Sequence, residues 1–222
     1  MCGTLAVTAL LLALAVRYPT VRDENAAFSP SRLLERRVGW LAAATALASA
    51  GYGAIATFIT VYAVQYGIRQ PGTFFTLYAL GLVVSRVGGG RLFDRIGARV
   101  PILGGLGAIA LGLLWLGSPS RGGFLAAAVV FGLGMGAITS STLAMAVNWV
   151  PIERRGAATA MVLSAMDLGI GAGGSLLGLV AQATGSYATM YIVGAAATCV
   201  PLLAFALKVL PAYARETASA RS

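Results

Sequence analysis

The sequence predicts an all-α membrane protein, a bundle of about seven transmembrane helices. Three observations lead to this prediction: 58% of the 222 residues are hydrophobic, only 10% are charged, and long apolar runs alternate with short connections. A soluble domain carries about a quarter charged residues, and each bilayer crossing needs about 20 mainly apolar residues. The composition therefore excludes a soluble enzyme, a disordered chain and a coiled coil.

The chain divides into a short apolar start, a basic connection, a bundle and a tail. Residues 1–16 are apolar but a little short for a crossing, and a polar connection follows over residues 17–38. Residues 39–210 are expected to form a six-helix bundle, and residues 211–222 a cytoplasmic tail. The six spans of the bundle are predicted near Trp40–Gln65, Thr73–Ser85, Pro101–Gly117, Phe124–Val147, Ala157–Ala183 and Tyr187–Ala206.

The distribution of basic residues predicts the orientation. Fourteen of the sixteen Lys and Arg residues fall in every second connection and in the tail, whereas only Arg69 and Arg121 fall in the others. Basic connections are retained in the cytoplasm, so the C-terminus is expected inside. Seven spans then place the N-terminus outside.

Residues 1–16 carry no basic n-region, which argues against a signal peptide. Two interpretations remain: a reverse anchor held by the positive charge that follows it, or the last helix of a preceding part that this chain lacks. We favour the second, a truncated chain.

The connection after the Thr73–Ser85 span reads Gly90-Arg91-Leu92-Phe93-Asp94-Arg95-Ile96-Gly97-Ala98-Arg99. It resembles the G-x-L-x-D-R-x-G-R-R/K signature of the major facilitator superfamily. The matching residues are Gly90, Leu92, Asp94, Arg95 and Gly97, with Ala98 and then Arg99 where the family has two basic residues. In that family the signature is cytoplasmic, between helices two and three, and a weaker copy lies between helices eight and nine.

Two further features fit the second copy. The connection over residues 17–38 resembles the family's central loop between two six-helix halves, and residues 151–160 are similar to its entry into helix eleven. The resemblance implies that the spans correspond to helices six to twelve of that fold. It is nearest to bacterial sugar and drug efflux permeases, and implies a multi-pass protein of the bacterial inner membrane.

The signature residues fit two roles. A carboxylate such as Asp94 can favour a helix N-terminus or take bidentate bonds from an arginine, and Gly90 and Gly97 permit a tight turn. Together they could form a charged latch that gates a transporter, or an ordinary basic loop that only sets topology. The resemblance favours the latch.

Asp167 is the one acid inside a predicted span. Intramembrane carboxylates are costly and face a cavity or a partner. Three roles stay open: proton coupling or cation binding, a structural hydrogen bond to Ser164 or to a backbone group, and pairing with an arginine of a missing N-terminal half. The resemblance suggests the pairing, because helix eleven packs against helix two in that family.

Several polar positions could line a central cavity, which in the family is built by helices seven, eight, ten and eleven. Taken singly, each is more readily interpreted as a helix–helix hydrogen bond. These candidates are Tyr52, Thr57, Thr60, Tyr78, Thr139 and Ser140.

The glycines of the later spans predict close helix packing. The stretch from Gly169 to Gly174 matches G-x-G-x-x-G, but it lies inside an apolar span with no strand before it, so a dinucleotide site is not expected. The packing glycines are Gly132, Gly134, Gly136, Gly174 and Gly178.

The functional prediction is secondary active transport of a small molecule. With no histidine, no clustered cysteine and no Walker-type loop, an enzyme and an ATP-driven pump are disfavoured, and no cofactor, metal or catalytic residue is expected. Because the arginines sit between apolar runs, nucleic acid is not an expected partner. The expected partners are the lipid bilayer, a small-molecule substrate, protons, and a missing N-terminal half or a second copy.

We expect proton-coupled efflux of a neutral, amphipathic or cationic solute, drug-like or sugar-like, because no arginine lies within the spans to hold an anion. The alternative is a non-transporting fragment, a scaffold or a subunit that needs a separate N-terminal half.

Overall fold

The computed structural model describes the backbone of residues 36–219 and the side chains of residues 38–88 and 97–215. Within this part every regular element is a helix. The predicted 1–16 span and nearly all of the 17–38 connection lie outside the described residues. The helices are α1 (Arg36–Gln65), α2 (Gly72–Ile96), α3 (Arg99–Leu116), α4 (Arg121–Asn148), α5 (Arg155–Thr184), α6 (Tyr187–Ala197), α7 (Cys199–Ala204) and α8 (Leu210–Ser219), with a 3₁₀ turn at Ile152–Arg154 and a π-helical turn at Phe205–Val209.

Within the described residues, five helical stretches are long and apolar enough to cross a membrane. Helix α2 adds a shorter apolar stretch, Gly72–Gly88, at the start of a helix of 25 residues. The all-α membrane bundle predicted from composition is therefore confirmed. The five stretches are Val38–Gln65, Arg99–Leu116, Arg121–Asn148, Ile152–Thr184 and Tyr187–Arg215.

The helices begin and end at residues that suit those positions. The Ser120 hydroxyl accepts a hydrogen bond from the Gly123 N–H at 3.1 Å and so caps the start of α4. Ser186 caps α6 in the same way. Gly185, at φ 64°, follows the last residue of α5 in the left-handed conformation that glycine adopts at low cost.

The signature segment is helical over most of its length, which corrects the predicted loop from Arg86 to Arg99. Helix α2 continues through Ile96, and only Gly97 and Ala98 separate it from α3. Hydropathy predicts where the apolar stretch ends, but it does not predict where the helix ends. A helix can continue into charged sequence until a residue interrupts it. Gly97, at φ 77°, makes that break.

Helices α1 and α5 touch backbone to backbone. A Cβ atom on Gly169 would collide with the carbonyl oxygen of Ala46, and one on Gly173 with that of Ala50. Gly53 of α1 faces the α5 backbone with equally little space. Such small-residue faces are how membrane helices approach closely, because lipid supplies no hydrophobic force between them.

Helix α4 packs against α2 through a second small-residue face. A Cβ on Gly81 would lie 2.5 Å from the Val129 carbonyl oxygen, and one on Gly132 would collide with that of Tyr78. Gly136 meets the Ser85 side chain of α2: a Cβ added to Gly136 would lie 2.8 Å from the Cβ of Ser85. Helix α4 is thereby held tightly against α2.

The remaining predicted packing glycines also lie at contacts. Gly134 meets Gly105 of α3, where a Cβ on Gly134 would be 2.6 Å from the Gly105 carbonyl oxygen. Gly174 lies against the Thr57 hydroxyl, and Gly178 against the ring of Phe58. The predicted packing role of these glycines is confirmed.

An aromatic cluster closes the end of the bundle where α1 finishes. The buried Tyr62 hydroxyl donates to the Leu116 carbonyl oxygen of α3 at 2.7 Å. Its ring lies 4.8 Å from that of Tyr66, 5.3 Å from that of Tyr191 and 6.3 Å from that of Phe124. Aromatic pairs in this range contribute beyond their buried area, so the cluster ties α1, α3, α4 and α6 together.

At the other end, aromatic residues meet the last helix. The Lys208 ammonium lies 4.3 Å from the ring centroid of Trp40, a cation–π contact, and Trp149 packs edge-on to Tyr213 at 5.5 Å. Trp40 is 49% exposed. These positions suit interfacial anchors, because Trp and Tyr are enriched where membrane helices meet the headgroup region.

The topology can be tested by cysteine labelling. Ser118 and Gly156 are both exposed and lie beyond opposite ends of α4, a helix about 42 Å long at about 1.5 Å per residue. In a background without Cys2 and Cys199, we expect Ser118→Cys to react with an impermeant maleimide added to intact cells. Gly156→Cys should react only after permeabilisation. Equal labelling of both from outside would contradict the orientation.

The α1–α5 contact can be tested with two glycines of one helix. Gly173→Ala should reduce the stability of the purified chain by about 1–3 kcal/mol, because the added methyl group has no room against Ala50. The thermal unfolding midpoint should fall accordingly. Gly171→Ala is the matched control, since nothing lies within 4 Å of a Cβ there. Equal midpoints for the two variants would show that the backbones do not approach this closely.

Candidate functional site

Two of the predicted cavity residues, Tyr52 of α1 and Tyr78 of α2, lie stacked on each other. Their ring centroids are 5.2 Å apart, and Phe131 of α4 lies 6.4 Å from Tyr52 and 6.2 Å from Tyr78. Both tyrosines are half-buried. The structure thus brings these two candidates together at the junction of α1, α2 and α4.

The small hydroxyl residues bond within their own helices. Thr57 donates to the Gly53 carbonyl oxygen at 2.9 Å, and Ser140 donates to that of Gly136 at 2.7 Å. Thr139 does the same with the carbonyl four residues before it. The expected helix–helix hydrogen bonds are therefore wrong for these three, because a carbonyl one turn earlier is always within reach of a Ser or Thr in a helix.

These candidates differ in exposure. Thr57 and Thr60 lie exposed on α1, Ser140 is half-buried, and Thr139 is only 6% exposed. Thr139 therefore faces the interior of this bundle. The roles of all six positions in a cavity stay a prediction.

Two hydroxyls of the interior have no partner among the described residues, those of Ser141 and Tyr191. Leaving a buried hydroxyl unpaired costs about 1–3 kcal/mol. Ser141 is next to the hydroxyl residues considered from the sequence, but nothing local in the sequence distinguishes it from them.

Asp167 lies exposed on α5, about 18 Å from the start of a helix that rises about 1.5 Å per residue. It makes no hydrogen bond or ion pair with any described residue, so the expected alternative of a structural bond to Ser164 is not found there. Ser164, Gly171 and Ser175, at helical spacing from Asp167, are exposed as well. These four residues, the α5 polar stripe, point away from the Gly169 and Gly173 face that packs on α1.

The α5 polar stripe differs from the surface beside it. Leu168, Leu176 and Leu179 of the same helix are 74%, 64% and 59% exposed. A leucine surface suits lipid, whereas a carboxylate in hydrocarbon is costly. The stripe is therefore the part of α5 that needs either water or a protein neighbour.

The signature residues cluster at the end of α2 and the start of α3. Gly90, Leu92, Asp94 and Arg95 fall in the last turns of α2, and their side chains lie outside the described residues. Asp94 thus lies near a helix C-terminus rather than at the N-terminus considered above. Arg99 is the first residue of α3 and is exposed. With α8 it lines a groove of about 400 Å³ that also includes Tyr213.

At the opposite end of the bundle, two connections meet in a polar pocket of about 340 Å³. The α1–α2 connection supplies Tyr66 and Arg69, and the α3–α4 connection supplies Pro119, Ser120 and Arg121. Both arginines are exceptions to the charge pattern of the sequence, and nothing in that pattern predicts that they lie close together.

A family model described as Major Facilitator Superfamily matches residues 41–222. The chain belongs to this superfamily. The match includes the described spans from residue 41 onward, and the apolar helices make this major facilitator chain a multi-pass membrane protein.

Curated relatives of the chain are named as transporters of the same superfamily. The chain is 30% identical over 218 residues to the uncharacterized MFS-type transporter YhhS of Salmonella paratyphi C, covering 97% of this chain and 54% of that protein. It is 31% identical over 198 residues to YhhS of Escherichia coli K12, covering 89% and 49%. This major facilitator chain thus spans about half the length of the curated relatives it matches.

Solved structures share the fold. A POT family transporter in complex with 5-aminolevulinic acid superposes with a TM-score of 0.68 at 18% identity, over 78% of this chain and 38% of that one. A POT family transporter bound to a thioalcohol-conjugated peptide gives the same values. The major facilitator bundle seen here corresponds to part of each.

Proposed function

We propose that this chain is the C-terminal half of a proton-coupled secondary transporter of the bacterial inner membrane. The observation that carries the proposal is the α5 polar stripe, an exposed row of polar residues on an otherwise apolar bundle. Secondary transporters bind substrate near the midplane between two repeats that move against each other. A second bundle would cover the stripe and enclose it in a cavity.

The position of Asp167 supports a role in coupling. It is the only charged residue between Arg155 and Lys208, and it is exposed without a described partner. A carboxylate in the membrane is a functional group in most proteins that retain one. It would either exchange a proton during the cycle or pair with a cationic residue of the second half in one state.

The same residue indicates the substrate class. A carboxylate at mid-helix attracts cations and repels anions, and α5 has no arginine beyond its first residue, Arg155, to bind an anion. The stacked Tyr52 and Tyr78 rings provide an apolar, polarisable surface at the junction of α1, α2 and α4. We infer efflux of a neutral, amphipathic or cationic solute.

The signature residues would act as the gate. Gly97 forces the turn between α2 and α3, which places Arg99 three residues after Ile96, the last residue of the helix that contains Asp94. A bidentate bond between a carboxylate and an arginine is strong and geometrically specific. Such a bond, made in one state and broken in another, would serve as the latch.

The Asp167 role can be tested in a complete two-half transporter. Asp167→Asn keeps the size of the side chain but removes its proton exchange, so pH-driven uptake of ethidium into inverted vesicles, which corresponds to efflux from the cell, should fall at least tenfold. Ser175→Ala, on the same stripe and without a charge, is the matched control and should retain most of the activity. Unchanged flux and unchanged pH dependence in Asp167→Asn would refute the coupling role.

The half-transporter interpretation can be tested on residues 1–222 alone. Exposing the Asp167 carboxylate to hydrocarbon is costly, so the purified chain should associate into dimers or larger species. Reconstituted in liposomes, it should give no flux of ethidium above that of protein-free vesicles. Robust flux from a monodisperse monomer would contradict the proposal, whereas flux restored by a co-expressed N-terminal half would support it.

A further inference from the structure

We propose that the pocket between the α1–α2 and α3–α4 connections binds a phosphate-type oxyanion, presented by a lipid headgroup or as a free ion. Its polar wall is formed by Tyr66, Arg69, Ser120 and Arg121, in a space of about 340 Å³. This arginine pocket lies at the end of the bundle far from the signature residues, and its proposed ligand is independent of the transported solute.

The charge of the arginine pocket is not neutralised by any side chain that the structure describes. Neither Arg69 nor Arg121 makes an ion pair with a described residue. The sequence has no Asp or Glu between Glu35 and Asp94, or between Asp94 and Glu153, so each arginine is far along the chain from any acid. Two guanidinium groups facing one pocket repel each other unless an anion lies between them.

The donors around the pocket match an oxyanion. Arginine offers a planar fork of N–H donors that fits phosphate oxygens in a bidentate manner. The Ser120 oxygen accepts the Gly123 N–H, which leaves the Ser120 hydroxyl proton free to donate outward. The Tyr66 hydroxyl can donate as well. The side chains that form the polar wall thus provide N–H and O–H donors and no carboxylate.

The position of the arginines is unusual for a membrane protein. Basic residues concentrate in one set of connections, and Arg69 and Arg121 are the two of sixteen that fall in the other set. Both nevertheless line the same pocket, although they come from different connections. The ends of spanning helices lie at the level of the lipid headgroups, where phosphate groups are most abundant.

Binding can be measured on the purified chain in a neutral detergent by thermal unfolding. We expect dioctanoyl phosphatidylglycerol or inorganic phosphate to raise the midpoint saturably, beyond sodium chloride at equal ionic strength. Dioctanoylglycerol, which has the same chains without the phosphate, should not. Arg69→Gln and Arg121→Gln should each weaken the apparent affinity about tenfold, the loss of one charge-assisted contact.

Two further variants keep the test decisive. Arg69→Lys retains the charge and should retain part of the affinity, and Arg215→Gln, which removes a positive charge at the other end of the bundle, should leave it unchanged. Stabilisation by the lipid alone would assign a headgroup, and by phosphate alone a free anion. No effect beyond sodium chloride, an equal effect of dioctanoylglycerol, or an equal loss in Arg215→Gln would overturn the proposal.

Discussion

The bundle depends on the direct approach of helix backbones at glycine. Helix α1 meets α5 where Gly169 and Gly173 leave no side chain between the two helices, and α2 meets α4 at Gly132 in the same way. In a membrane the lipid is as apolar as the side chains, so association depends on van der Waals contact, which requires close surfaces. Any larger residue at these positions would separate the helices and reduce that contact.

This packing also determines where the functional groups point. Because the glycine face of α5 is occupied by α1, the residues on the other side of that helix, Asp167 among them, are directed away from the pair. The contact of the glycine face with α1 therefore determines the direction of the opposite face, which carries Asp167 and needs a polar neighbour. The same helix thus combines a close backbone contact on one face with an exposed polar surface on the other.

Hydropathy and charge predicted the spans well but the helix ends and side-chain contacts poorly. The apolar run of α2 was recognised, yet its helix extends through Ile96 because only Gly97 breaks it. A threonine in a helix can bond either to the carbonyl one turn earlier or to a neighbouring helix, and residue type alone does not reveal that Thr139 makes the first bond. The convergence of Arg69 and Arg121 could not be predicted, since it depends on which connections become neighbours in space.

The pairing of α1 with α5 has a consequence for biosynthesis. Gly169 is synthesised long after Ala46, on the order of ten seconds later at about 5–20 residues per second. Throughout that interval α1 must reside in the bilayer without the helix it is shaped to fit. Of the described helix pairs that meet at glycine, α1 and α5 are the furthest apart along the chain, so the small-residue face of α1 waits longest for its partner.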